Sequence, residues 1–380
     1  MNANRMIKMN LQKFTGHERQ ERWSKLVLAK LRNELLLKDG VIFNNDYEGS
    51  PAAGSVKIPK RDGEVVVSDY DKANGITGTH GSTSYETMVI DKDKALNEII
   101  DGYDAKAVPD ALIADRLDSA TYSMAAQVDT DGGTCLLAAA TVENETELTS
   151  ENIYDKIVDL RARMTKAKIP NDGKRYLLCT PDTYSLILKD KDHFVHATDL
   201  GDKVTATGAV GKIAGFLVFE WNDETANLAM LAGHPRFATR AMEFAVPVHV
   251  QDLNGSGKYI GACAVQGRKV YAHKVLRSVA IRAVYAPGSL TVSLAKGATS
   301  GSTIATVTGG TGTLKFKKNP TARATFNETA TAYGGTALTS GTTEIAVSEG
   351  DIIEVVDLVS SKVNKVGYIR VEASNIKAAE

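Results

Sequence analysis

Three cysteines, seven histidines and a few glycine-rich turns are the residues of this 380-residue chain that could carry chemistry, and their spacing argues against most of it. Cys135, Cys179 and Cys263 are odd in number and far apart, which is neither a disulfide framework nor a zinc spacing. They read as small buried thiols of a reducing compartment. The stretch TGAVGKIAG approaches a phosphate-binding loop. That loop needs a first Gly, four residues, then Gly-Lys and a hydroxyl residue, and here those end positions are Ala206 and Ile213. It reads instead as a glycine-rich approach to the strand GFLVFEW. His193 and His196, with Asp192 beside them, form a short His-x-x-His without a third ligand at helical or strand spacing, so a solvated loop is expected. His234 and His273 stand alone and read as surface or hydrogen-bonded histidines. Asp129 to Gly132, DTDG, matches a fragment of a calcium loop whose remaining ligands are missing, and a turn is expected there. Gly-x-Ser-x-Gly, His-Glu-x-x-His and a dinucleotide fingerprint are all absent from the sequence. The reading is therefore of no enzyme, no cofactor and no metal.

Charge is the remaining candidate. The formal net charge of −1 gives no global attraction to a polyanion, so such contact must come from a local patch. One exists: the first forty residues hold nine Lys or Arg against four acidic residues. Arg19, Arg22 and Lys25 are its centre. Basic amphipathic helices also serve simply as solvated faces, and both readings stand. The asparagine sequons at Asn144 and Asn327 carry little weight, because no secretory h-region follows the N-terminus and no run of about 18 apolar residues occurs. Synthesis in a cytoplasm is the expectation.

With 43% hydrophobic and 24% charged residues, the chain is composed like an ordinary globular protein and is long enough for two cores. Trp23, Val27, Leu31 and Leu35 share one face of a helix expected from Thr15 to Gly40, with Thr15 and Glu18 as a capping box and Gly40 as its stop. Between Ser50 and Ile100 the pattern becomes β. VKIPK and GEVVVSDYD read as one strand, TSYETMVIDKDKALNEII as a long returning strand, and KANGITGTHGS as the tip between them. Such a hairpin has little with which to build its own core, so a neighbouring molecule is expected to cover it.

Pro109 opens a helix with Leu112, Ile113, Leu117, Ala120, Met124 and Val128 on one stripe, running toward Leu137 unless Gly132 and Gly133 break it. Ile153, Ile157, Leu160 and Met164 mark another helix. Arg175 to Cys179 reads as a buried strand, and Thr180-Pro181 as the cap and first turn of a short helix. Strands follow at FLVFEW, NLAMLAG, AVPVHVQD, GACAVQG and SVAIRAVYA. After Pro287 the composition shifts to Thr, Gly, Ser and Ala. LTVSLA, STIATVTG, GTLKFKK, EIAVSEG, DIIEVVDLV and KVGYIRVEA there predict a small all-β sandwich.

The order of basic helix, β-hairpin, long helix, α+β body and strand return resembles the major capsid proteins of tailed phages, an α+β Hong Kong 97-like fold shared with encapsulins. MNLQKF, TSYETMVIDKDKALNEIIDGYDA, RYLLCTPDTYSLI, GKIAGFLVFEWND and LAGHPRFA carry the likeness across roughly residues 9 to 286. The resemblance implies an N-terminal arm and helix over 1–48, an extended loop over 49–101, and a peripheral domain with its spine helix over 102–144 and 251–286. It implies an axial domain over 145–250, with an immunoglobulin-like β-domain over 287–380 outside the shell. It further implies self-assembly through pentamers and hexamers into an icosahedral head around double-stranded DNA, in a virion put together in the host bacterial cytoplasm without a membrane. Because little precedes Thr15, a separate scaffolding protein is expected, with portal, protease and decoration proteins as further partners and Arg19, Arg22 and Lys25 facing the DNA. Lys57, Lys60 and Lys72 lie where some relatives cross-link subunits, but neither an asparagine partner nor a catalytic acid is identified. An encapsulin-like compartment is the alternative. A cell-surface adhesin, suggested by the Thr-rich tail, is opposed by the α+β body and the missing secretion signal.

Overall fold

A computed structural model describes residue 32, residues 35–47, residues 54–107 apart from 62, 66, 77, 79 and 82, residues 112–190 and residues 211–378. Most of the helix expected from Thr15 to Gly40, with Arg19, Arg22 and Lys25, lies outside the described residues. Its expected end is not helical: Leu35–Lys38 carry no helix. The Leu36 and Leu37 amides donate to the Asp129 carboxylate at 3.0 and 3.3 Å, which takes them away from intrahelical acceptors and buries Leu37. Gly40 does not stop a helix. At φ 80° it sits in a tight turn and donates to the Phe43 carbonyl.

The first hairpin pairs β1 (Ser55–Arg61) with β2 (Thr83–Val89). The described residues of the expected continuation GEVVVSDYD form no strand; they lead instead into a turn in which Asp71 accepts from the Ala73 amide and the Gly75 amide donates to the Asp71 carbonyl. Nor is the return a single strand. It breaks at Ile90–Asp91, and β3 (Lys92–Ile100) joins a different sheet.

After a short α1 (Gly102–Ala107), α2 runs unbroken from Leu112 to Ala139 (Leu112–Ala139) through both glycines. A Cβ on Gly132 would stand 3.1 Å from the Phe43 ring, and one on Gly133 only 2.9 Å from Trp221. These glycines permit close packing, and that outweighs the roughly 1 kcal/mol each costs a helix. DTDG is accordingly helical rather than a turn.

Next come β4 (Thr141–Asn144), α3 (Ile153–Lys166), β5 (Tyr176–Cys179), α4 (Pro181–Lys189), β6 (Lys212–Ile213), β7 (Phe216–Glu220) and β8 (Leu228–Gly233). β9 (Ala238–Asp252) and β10 (Cys263–Val275) are each longer than the sequence patterns predict, and β11 (Arg282–Tyr285) closes the body. Two sheets result. β3-β10-β9 is antiparallel, has α2 across it and bulges at Gly267, where a Cβ would meet Val248 at 2.9 Å. The other is mixed, in the order β4-β11-β8-β5-β7-β6.

β5 is buried on both faces because its alternate side chains serve two cores. Leu177 and Cys179 meet the α3 stripe of Ile153, Ile157, Leu160 and Met164. Tyr176 and Leu178 meet Leu37, Ile42, Phe43, Leu136 and Trp221. Thr180 occupies the N-cap of α4, but its hydroxyl bonds to the Ala229 carbonyl and Thr183 rather than to the helix amides.

The tail forms two sheets from β12 (Gly288–Ser289), β13 (Thr291–Lys296), β14 (Ser302–Thr308), β15 (Thr313–Lys318), the single-turn α5 (Ala330–Tyr333), β16 (Thr336–Ala337), β17 (Glu344–Ala346), β18 (Ile352–Val359) and β19 (Lys362–Arg370). Five strands run β12-β19-β18-β15-β16 and three run β13-β14-β17. Ile353 and Val355 of β18 face a core shared by both sheets, while Val356 and Leu358 pack under Tyr333 on the other side. The tail docks on the body: Tyr285 stacks on Phe326 at 5.8 Å, the Phe326 amide donates to Glu145, and Asn227 bonds Asn364 at 2.8 Å.

Candidate functional site

The residues singled out for chemistry are dispersed by the fold. Among the described residues no group of three His, Cys, Asp or Glu could hold a metal. Asp192, His193 and His196 lie outside them. The glycine-rich stretch is described only from Gly211 onward: Gly211 precedes β6, Ala214 and Gly215 make the tight β6–β7 connection, and all three are at positive φ. Cys179 is buried and its thiol is pushed up by desolvation, whereas Cys135 and Cys263 are only half-buried, a correction to three buried thiols. His234 is a buried, hydrogen-bonded histidine: it pairs with Asp172 at 2.9 Å and accepts the Arg236 amide. Lys57 and Lys60 fall on opposite faces of β1, and Lys72 sits in the hairpin turn.

Three polar clusters hold the body together, and long-range contacts make them. Arg175 is fully buried. Its guanidinium donates to the Ile169 and Pro170 carbonyls at 2.6 and 2.8 Å and to Thr165 at 3.1 Å, closing the end of α3, while burial pulls it below its ordinary pKa. Glu143 takes Arg163 and Arg282, and Glu145 takes Lys156 and Arg163, which joins β4, α3 and β11. Burial raises the Glu145 carboxyl, but the bonds from Lys156 and Arg163 outweigh it and hold the group below the usual carboxylate range.

The third cluster centres on Arg240 of β9. It donates from Nε to His273 Nε2 at 2.9 Å and from its two terminal nitrogens to Asp39 and the Leu37 carbonyl, and it lies 4.9 Å over the Phe43 ring. Sequence reasoning missed all three clusters. A charged residue set against apolar neighbours, as in RYLLC and AHKV, was the available signal.

A cavity of about 790 Å³ opens where the tail meets the body, lined by Glu147, Asp182, Asp223 and Glu224 and by no Lys, Arg, His or Cys. Among the described residues several large apolar side chains are exposed. Val65 and Val67 of the hairpin are 77% and 93% exposed, Tyr70, Ile76 and Tyr85 are more than half exposed, and Ile260 at the β9–β10 tip is 82% exposed.

No protein-family model and no curated protein sequence matches the chain. Solved structures do. One from Mycobacterium phage Che8 is 20% identical with a TM-score of 0.60, covering 70% of this chain and 97% of its own. The capsid of cyanophage P-SCSP1u is 13% identical with a TM-score of 0.61, covering 70% and 92%. The mature capsid of bacteriophage PhiM1 is 12% identical with a TM-score of 0.50, covering 69% and 92%. The fold is a phage capsid fold. These capsid structures are matched almost whole, while close to a third of this chain lies outside each match.

Proposed function

We propose that this chain is the major capsid protein of a tailed bacteriophage, assembling through pentamers and hexamers into an icosahedral head around double-stranded DNA. The observation that carries the reading is the likeness to phage capsid structures over 92% to 97% of their length. The hairpin supports it independently. Its Val65, Val67, Tyr70 and Ile76 bury little within the chain, and a neighbouring subunit is the partner that would cover them. No helix among the described residues is long and apolar enough to cross a membrane.

On this reading residues 1–48 are the arm, 49–101 the extended loop, 102–144 with 251–286 the peripheral domain, and 145–250 the axial domain. Residues 287–380 are an immunoglobulin-like addition on the outside, supported by the two-sheet arrangement and by the share of the chain beyond the capsid matches. The protein's work is then structural, its place the virion, and its partners its own copies, a scaffolding protein, a portal and DNA held by non-specific charge. The test is negative-stain microscopy with light scattering on the chain expressed alone and with its scaffolding partner. Closed shells, or rings of five and six, are expected. A persistent monomer in both conditions would overturn the proposal, and shells filled with enzyme cargo and no DNA would replace it with the encapsulin reading.

A further inference from the structure

Residues 36–44 cross the body as a strap between the arm and the hairpin, and their attachment is unusual in chemistry. Leu37, Ile42 and Phe43 supply the apolar anchor. Asp129 holds the Leu36 and Leu37 amides and Asn44 bonds the Pro235, Arg236 and Ala238 carbonyls, but between these ends the polar anchor is one guanidinium, because Arg240 grips the Leu37 carbonyl, Asp39 and the face of Phe43 at once. That guanidinium is aimed in turn by His273, whose ring stands 5.0 Å from Phe43 and 5.5 Å from Tyr271.

His273 can hold Arg240 only as a neutral base. Its Nε2 must accept from Arg240 Nε, which assigns the ring hydrogen to Nδ1, and Nδ1 is buried with no partner. A second proton would set an N–H against an N–H and a cation beside a cation. We propose that Arg240 and His273 form a proton-sensitive latch on this strap: Arg240 positions it, and protonation of His273 loosens it ahead of the rest of the fold.

The surrounding charges fit this. Burial first, then Arg240, lowers His273 to about 4 from its ordinary 6.5; Lys92 acts in the same sense, and Asp131 of α2 and Asp91 oppose it without prevailing. Above 6.5 the docked and opened states are both neutral and docking is at full strength. Between 6.5 and 4 the opened strap frees His273 to take a proton that the docked state refuses, so docking weakens by up to tenfold per pH unit. The limit is a rise of about 300-fold in the opening constant. Asp129, which also holds the strap through the Leu36 and Leu37 amides, has its carboxyl raised by burial and therefore works in the opposite sense. Tyr271 donates to Asp131 and stays protonated throughout this range.

The experiment is hydrogen exchange by mass spectrometry on the full unassembled chain from pH 7 to pH 4, corrected for intrinsic rates. It compares a peptide spanning 36–44 with one spanning α3. Protection of the strap should fall severalfold, short of that limit because Arg240 stays paired beside His273, while α3 holds, and His273→Gln, which offers a non-titrating acceptor, should flatten that dependence. Arg240→Met should cost the strap at least about tenfold in protection at pH 7 with α3 unchanged. Equal loss at strap and α3, an undiminished pH dependence in His273→Gln, or full strap protection in Arg240→Met would each overturn the latch. The latch does not rest on the capsid reading, and exchange in the unassembled chain tests it alone.

Discussion

Alanine at Gly133 should destabilise the protein even though it improves the helix. Gly133 lies inside α2, where Gly→Ala normally gains about 0.8–1.0 kcal/mol. The new Cβ, however, would stand 2.9 Å from Cζ2 of Trp221, 3.5 Å from its Cη2 and 3.7 Å from Leu37. Carbon atoms rest at about 3.5–4.0 Å, so the nearest contact needs roughly 0.6 Å of relief. The indole is a rigid ring in the buried cluster of Leu37, Leu136, Leu178 and Leu231, so it can give way only by moving as a whole. Overpacking of this kind costs about 1–3 kcal/mol, and with the helix gain subtracted the net loss is up to about 2 kcal/mol. Chemical denaturation of the unassembled chain measures it. A Trp221→Phe change removes the obstructing atoms at its own cavity cost, so the double variant should be more stable than the sum of the two by about 1 kcal/mol. A Gly133→Ala chain at least as stable as the parent, or strictly additive effects, would refute the view that these glycines exist for close approach.

Arg175→Leu should cost about 3–5 kcal/mol in thermal unfolding, because it strands the buried Ile169 and Pro170 carbonyls together; a loss under about 1 kcal/mol would mean that they find other donors. Val67→Asp with Ile76→Asp should leave the unassembled chain within about 0.5 kcal/mol of the parent, since both side chains are mainly solvated, and should suppress shell formation seen by light scattering. Unimpaired assembly would show that this part of the hairpin is never covered. Neutralising Arg19, Arg22 and Lys25 should leave the yield of empty shells unchanged and lower packaged-genome stability. If each contacts phosphate, the slope of log affinity against log salt should fall by about three, and equal DNA retention would exclude the arm as a genome contact.

What the sequence makes legible is whatever one element decides by itself. The α3 stripe of Ile153, Ile157, Leu160 and Met164 is one-sided and ends up fully buried, and the alternation in GTLKFKK and KVGYIRVEA yields strands where expected. Meaning supplied by distant residues is not legible. Gly132 and Gly133 carry the local signal of a helix breaker, and only Phe43 and Trp221, some ninety residues away on either side, turn them into packing sites. Leu35–Lys38 have helical composition, yet Asp129 takes the amides that a helix would need. Arg175 and Arg240 have no motif, because their partners are mostly backbone carbonyls and a lone histidine.

The hairpin failed for a different reason, and it bears on function. GEVVV has the β-branched composition of a strand, but within this chain Val65 and Val67 are left mainly to solvent. An apolar side chain gains only when a surface removes it from water, and about 1.5–3 kcal/mol is at stake for each valine or isoleucine fully covered. A pattern that persists without an intrachain partner is what a strand built for an intermolecular surface would carry. On the capsid reading that surface is an adjacent subunit, and the segment should become ordered β structure only on assembly. Exchange protection of residues 63–76 should then be low in the free chain and high in shells. Protection that is the same in both states would leave the exposed valines without the role that assembly gives them.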